Sequence, residues 1–103
     1  MSTRKHDNAL DVLQKLTGGL TLGKIIWAIR TDEGIPLSDL AQKFHISKSH
    51  LCDIEKGRKT VSPERALRFA KILGQPGDMF VSLALQGMLD KAKIKMKVKL
   101  EAA

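Results

Sequence analysis

The sequence predicts an all-α domain with a short extra helix at its N-terminus and a strand-like tail at its C-terminus. Three observations predict it. Apolar residues recur at helical spacing in five segments between Leu22 and Ala92, and capping residues or glycines bracket those segments. One stretch, Lys93 to Leu100, changes to a period of two. The chain has 103 residues, 43% hydrophobic and 28% charged, the composition of one globular domain. A core this small is helped by pairing with a second copy.

Taken in order, residues 1–7 are polar, and Asp7 or Asn8 can cap a short helix in which Leu10, Leu13 and Leu16 share a side. Thr17-Gly18-Gly19 ends it. Thr21 caps the next helix, Leu22 to Glu33, with Leu22, Ile25, Ile26 and Ile29 inward, and Gly34 closes it. Pro36 opens a third helix through about Phe44, with Leu37, Leu40 and Ala41 inward. Ser47 caps KSHLCDIEK, and Gly57 stops it. In VSPERALRFAKILG, Ser62 caps, Pro63 opens and Gly74 ends a helix whose apolar surface is Ala66, Leu67, Phe69, Ala70 and Leu73. Asp78 is the expected cap of a last helix, MFVSLALQGMLDKA, whose wide apolar circumference is hard to leave facing water.

In the tail, Ile94, Met96, Val98 and Leu100 alternate with four lysines, the pattern of a half-buried strand. A lone strand leaves its backbone unsatisfied, and the chain has no second convincing strand. The expected solution is the same strand from a second subunit, forming an antiparallel ribbon with one lysine face and one apolar face.

Lys and Arg outnumber Asp and Glu by 18 to 11, a formal charge of +7. The excess permits an anionic partner, nucleic acid or an acidic membrane surface, without choosing between them. Cys52 is the sole cysteine, so no intrachain disulfide forms, and its spacing from His6, His45 and His50 makes no metal site. The N-terminal residues lack the apolar region of a signal peptide, and no apolar run approaches the roughly 20 residues of a membrane span. A cytoplasmic protein is expected. No nucleophile with a base and an orienting group, and no phosphate-cradling glycine loop, is present, so neither an enzyme nor a cofactor is expected.

The segment FHISKSHLCDIEKGRK holds the functional signal. On a helical wheel His50, Leu51 and Ile54 lie inward, while Lys48, Ser49, Cys52, Asp53 and Lys56 share the outer arc. With a preceding helix and a tight turn, this is the layout of a helix that enters a major groove about 12 Å wide. Lys56, Arg58 and Lys59 would then sit against phosphates. The same pattern also serves an amphipathic surface helix of an all-α domain.

LSDLAQKFHISKSHLCDIEKG resembles the helix-turn-helix core of the lambdoid phage repressor and Cro family, the xenobiotic-response-element (XRE) type. The resemblance runs in register from Leu22 to about Phe80 through Arg30, GIPLSDLA, ISKSHLCDIEKG and SPERALRFAKILG. It implies a five-helix repressor-like bundle in which the second and third helices form the motif. It places base reading on Ser47, Lys48, Ser49 and Asp53. Lys48 would donate to guanine and Asp53 would accept from cytosine N4, against the plainer reading of Asp53 as solvated surface or a brake on nonspecific binding. It also implies a bridge between Arg30 and Glu55. Two departures stand out: Leu37 replaces a backbone-contacting glutamine, and His45 replaces a glycine of the turn. Cys52 falls on the expected DNA face, where oxidation would block binding, although a harmless small residue is the better reading.

The expected organisation is an N-terminal extension over residues 1–21, a helix-turn-helix domain over 22–80, and a dimerisation segment over 81–103. The expected function is a dimeric repressor that reads double-stranded operator DNA with helix 47–56, in a bacterial cytoplasm. Twofold dimers of the resembled family hold their recognition helices about 34 Å apart. The alternative is an antitoxin that holds a toxin protein through Leu10, Leu13 and Leu16 or through the tail, and represses its own operon. A membrane role for the lysine tail is the weakest reading.

Overall fold

The computed structural model describes residues 19–101. Five helices follow one another: α1 Leu22–Asp32, α2 Leu37–Phe44, α3 Lys48–Glu55, α4 Pro63–Leu73 and α5 Gly77–Lys91. The expected helix around Leu10, Leu13 and Leu16 lies outside the described residues.

Three helix starts follow one rule. The hydroxyls of Thr21, Ser47 and Ser62 accept hydrogen bonds from the backbone N–H three residues on, at 3.1, 3.0 and 3.2 Å. The other two start behind prolines: Pro36 and Pro76 occupy the N-cap in extended conformation without a side-chain bond. Asp78, expected as the last cap, sits instead inside the first turn of α5, because Pro76 already sets the entry direction.

All five helices end alike, on a left-handed residue whose N–H and whose successor's N–H bond back into the last turn. Glycine occupies that position after α1, α3 and α4, while His45 (φ 59°) and Lys93 (φ 60°) occupy it after α2 and α5. His45 N–H reaches Gln42 O at 3.1 Å and Ile46 N–H reaches Ala41 O at 3.0 Å. Histidine thus completes the turn that glycine usually makes.

The core is built from Leu22, Ile25 and Ile26 of α1, Leu40, Ala41 and Phe44 of α2, Leu51 and Ile54 of α3, Ala66, Phe69 and Ala70 of α4, and Phe80 and Ala84 of α5. Val61 closes it from the α3–α4 loop. The rings of Phe44 and Phe69 stack with centroids 3.9 Å apart, joining the end of α2 to the middle of α4. Leu67, expected among the apolar surface of α4, is 44% exposed and lies beside Gly77 at the start of α5. Its position is off the Ala66, Phe69, Ala70 and Leu73 stripe.

Among the described residues no strand forms, which corrects the expectation for the tail within a single chain. The segment folds back on α5, where the Gln86 carboxamide acts as a substitute peptide: its Nε2 donates to Met96 O and its Oε1 accepts from Val98 N–H, both at 2.8 Å. A strand needs a neighbouring backbone along its whole length, and one side chain supplies a single pair of bonds. Ile94, Met96 and Leu100 stay 42%, 66% and 43% exposed.

Candidate nucleic-acid interface

Helix α3 is amphipathic in the manner its sequence demands. Leu51 and Ile54 are buried, while Lys48 and Ser49 are exposed on the first turn. Ser47, also exposed, spends its hydroxyl on the N-cap bond to His50 N–H. Cys52 and Asp53 lie on the outer side, half-buried, and Lys56, Arg58 and Lys59 follow exposed in the loop. His50 is half-buried against the body. Burial lowers its pKa below the ordinary 6.5, and the nearby Lys59 and Arg65 charges push the same way against the opposing Asp53, so it is neutral at pH 7.

Several devices fix the pose of α3. The Arg30 guanidinium donates through Nε to Glu55 Oε2 at 2.8 Å and through Nη2 to Glu55 Oε1 at 3.0 Å. Its Nη1 donates to Ile35 O at 3.0 Å, so one planar group joins α1, the α1–α2 turn and the end of α3. The hydrogen bonds to Glu55 raise the Arg30 pKa further, and the arginine end of the bridge keeps its charge at any ordinary pH. Only 15% and 6% of the two side chains is exposed. At the other end of α1, a Cβ on Gly23 would collide with the carbonyl of Ile54, so glycine is what lets α1 lie against the backbone of α3. Arg68 holds the preceding helix: its Nη1 donates to Phe44 O at 2.7 Å while its guanidinium lies 5.3 Å from the centre of the Phe69 ring.

The α3–α4 loop forms a second cluster. Gly57 (φ 78°) turns the chain back, and Arg58 N–H then reaches Asp53 O at 2.8 Å. Arg58 Nε donates to Asp53 Oδ1 at 2.9 Å, and Lys59 Nζ lies 3.9 Å from Asp53 Oδ2. From α5, Lys91 Nζ donates to Arg58 O at 2.6 Å.

The structure therefore presents Lys48 and Ser49 together at one end of α3, and Lys56, Arg58 and Lys59 at the other. Asp53 is drawn to the loop cations. Gly23, Arg68 and Lys91 escaped the sequence reading. Gly23 is a glycine inside a helix that needs none, which is the one signal that marked it; the roles of Arg68 and Lys91 depend on long-range contacts. Leu37 lines an open groove with Trp27 and Cys52, and Trp27 is 52% exposed. Among the described residues, no group of three His, Cys, Asp or Glu side chains is arranged to hold a metal ion, and no helix is long and apolar enough to cross a membrane.

An amphipathic helix with an exposed polar first turn, fastened behind a tight turn and flanked by cations, defines a class: helix-turn-helix proteins. Comparison with known proteins agrees. A family model described as a helix-turn-helix domain matches residues 22–83. The crystal structure of the clp gene regulator ClgR from Corynebacterium glutamicum is similar, at 30% identity over 70% of this chain and 77% of that chain, with a TM-score of 0.53. No match was found among curated proteins. The chain belongs to the helix-turn-helix domain family.

Proposed function

We propose that the protein is a sequence-specific DNA-binding transcriptional regulator that inserts the first turn of α3 into the major groove of an operator. One observation carries the reading: α3 is clamped by Arg30, Gly23 and its N-cap, yet Lys48 and Ser49 at its leading turn face solvent. A rigid helix with a free polar tip is what base recognition requires. Lys48 donates to guanine O6 or N7, Ser49 and Ser47 contribute short-range polar contacts, and Asp53 accepts from cytosine. Lys56, Arg58 and Lys59 hold phosphates. The family match and the regulator named among similar structures support this reading.

The working form is a twofold dimer that represses by occupying a promoter. The partly exposed Ile94, Met96 and Leu100 support it, because among the described residues one face of the tail carries apolar side chains that are only partly covered. Residues 1–21, 22–80 and 81–103 then serve as extension, reader and dimerisation segment. The antitoxin alternative rests partly on Leu10, Leu13 and Leu16, outside the described residues, and a second protein co-purifying with the chain would favour it.

The test is binding to a duplex selected from random DNA against an unselected duplex. Lys48→Ala should lower the preference for the selected duplex. Arg58→Ala should weaken binding to the selected duplex and flatten its log–log salt dependence by about one unit of slope. Equal losses on both duplexes from both variants contradict the assignment of Lys48 to base reading.

A further inference from the structure

Asp53 stands in the middle of the proposed DNA face, yet its carboxylate is already engaged. Oδ1 accepts from Arg58 Nε at 2.9 Å, and Oδ2 is 3.9 Å from Lys59 Nζ. These are two of the three cations assigned to phosphates. The engagement is built into the backbone: the N–H groups of Arg58 and Lys59 both point at Asp53 O, at 2.8 and 3.3 Å, so the loop wraps the end of α3 and returns its side chains over the carboxylate. Lys91 Nζ, from α5, donates to Arg58 O at 2.6 Å. The Arg58 and Lys59 side chains nonetheless remain 60% and 56% exposed, so the pairs open at little cost.

We propose that Asp53 is an internal phosphate substitute that couples phosphate grip to base identity. In the free protein and on random duplex it occupies Arg58 and Lys59. On the operator its carboxylate accepts from a cytosine N4 amino group, and the two cations pass to phosphates. The inference rests on the groove-entering reading of α3.

The physical sequence is short. A carboxylate brought to a duplex is repelled by phosphates unless a donor meets it. Random sequence puts a cytosine at the right place only about one time in four, so Asp53 mostly keeps its cations and fewer phosphates are neutralised. A correctly placed cytosine satisfies Asp53 instead. Each cation then freed releases a condensed counterion from the duplex. A carboxylate that merely lowers the local field would act without Arg58; the proposed exchange needs it.

The experiment uses the full chain, the selected and random duplexes, and a salt series. Asp53→Asn should bind random duplex about three- to tenfold tighter near ~0.1 M salt, with a log–log slope steeper by about one to two, one for each cation released. Its preference for the selected duplex should fall, with base selection relaxed at one position per half-site. In an Arg58→Ala background the same substitution should gain less than about twofold. An Asp53→Asn protein with unchanged random-duplex affinity and slope overturns the proposal. So does an equal gain with and without Arg58, which is a plain field effect. The unsubstituted chain separates the two levels: if it does not prefer the selected duplex, the DNA-reading assignment itself has failed, and the Asp53 proposal falls with it. If it does and the variant behaves as wild type, only the Asp53 proposal has failed.

Discussion

Arg30 and Glu55 meet through a bidentate pair with little solvent around it, and the consequence is measurable at a single side chain. Glu55→Gln keeps the volume and one acceptor but removes the charge, leaving a poorly compensated guanidinium between α1 and α3. A hydrogen bond to a charged group contributes about 1.5–3 kcal/mol, so a loss of about 2 kcal/mol in urea unfolding is expected. A loss under about 0.5 kcal/mol would place the pair among ordinary surface bridges. The two residues were legible because a guanidinium and a carboxylate stand at the positions the family resemblance pairs. The engagement of Asp53 was not legible. It depends on the direction in which Gly57 returns the chain, and a helical wheel stops at the end of the helix.

At the scale of elements, the approach of α1 to α3 decides where the recognition helix points. Two effects compete at Gly23. Alanine has the better helix propensity by about 1 kcal/mol. Its Cβ, however, would meet the backbone carbonyl of Ile54, which yields only if α3 shifts, and such overpacking costs about 1–3 kcal/mol. Gly23→Ala should therefore be less stable in urea unfolding and weaker on DNA. Gly87→Ala in α5, where a Cβ meets nothing within 4 Å, should gain up to about 1 kcal/mol. A stabilised Gly23→Ala would contradict the close approach. Element types and most boundaries were readable from Thr21, Ser47, Ser62, Pro63, Gly34, Gly57 and Gly74, since capping is local chemistry. Asp78 misled because a proline two residues earlier had already directed the helix.

For the whole molecule, the bundle was legible from apolar periodicity, whereas the tail was not. Alternation of lysine with Ile94, Met96, Val98 and Leu100 describes a strand only when another backbone lies beside it, and among the described residues the tail meets the Gln86 carboxamide instead. The proposed dimer would provide the missing backbone. Deleting residues 93–103 should shift the sedimenting species toward monomer and weaken operator binding. An unchanged dimer would remove the tail from the interface.

The most direct measurement is amide chemical-shift mapping of the full chain with a duplex selected from random DNA. The largest changes are expected at Lys48 through Asp53, with Lys56, Arg58 and Lys59 next to them and the far side of α4 quiet. Silence across α3 while another surface responds would contradict the account.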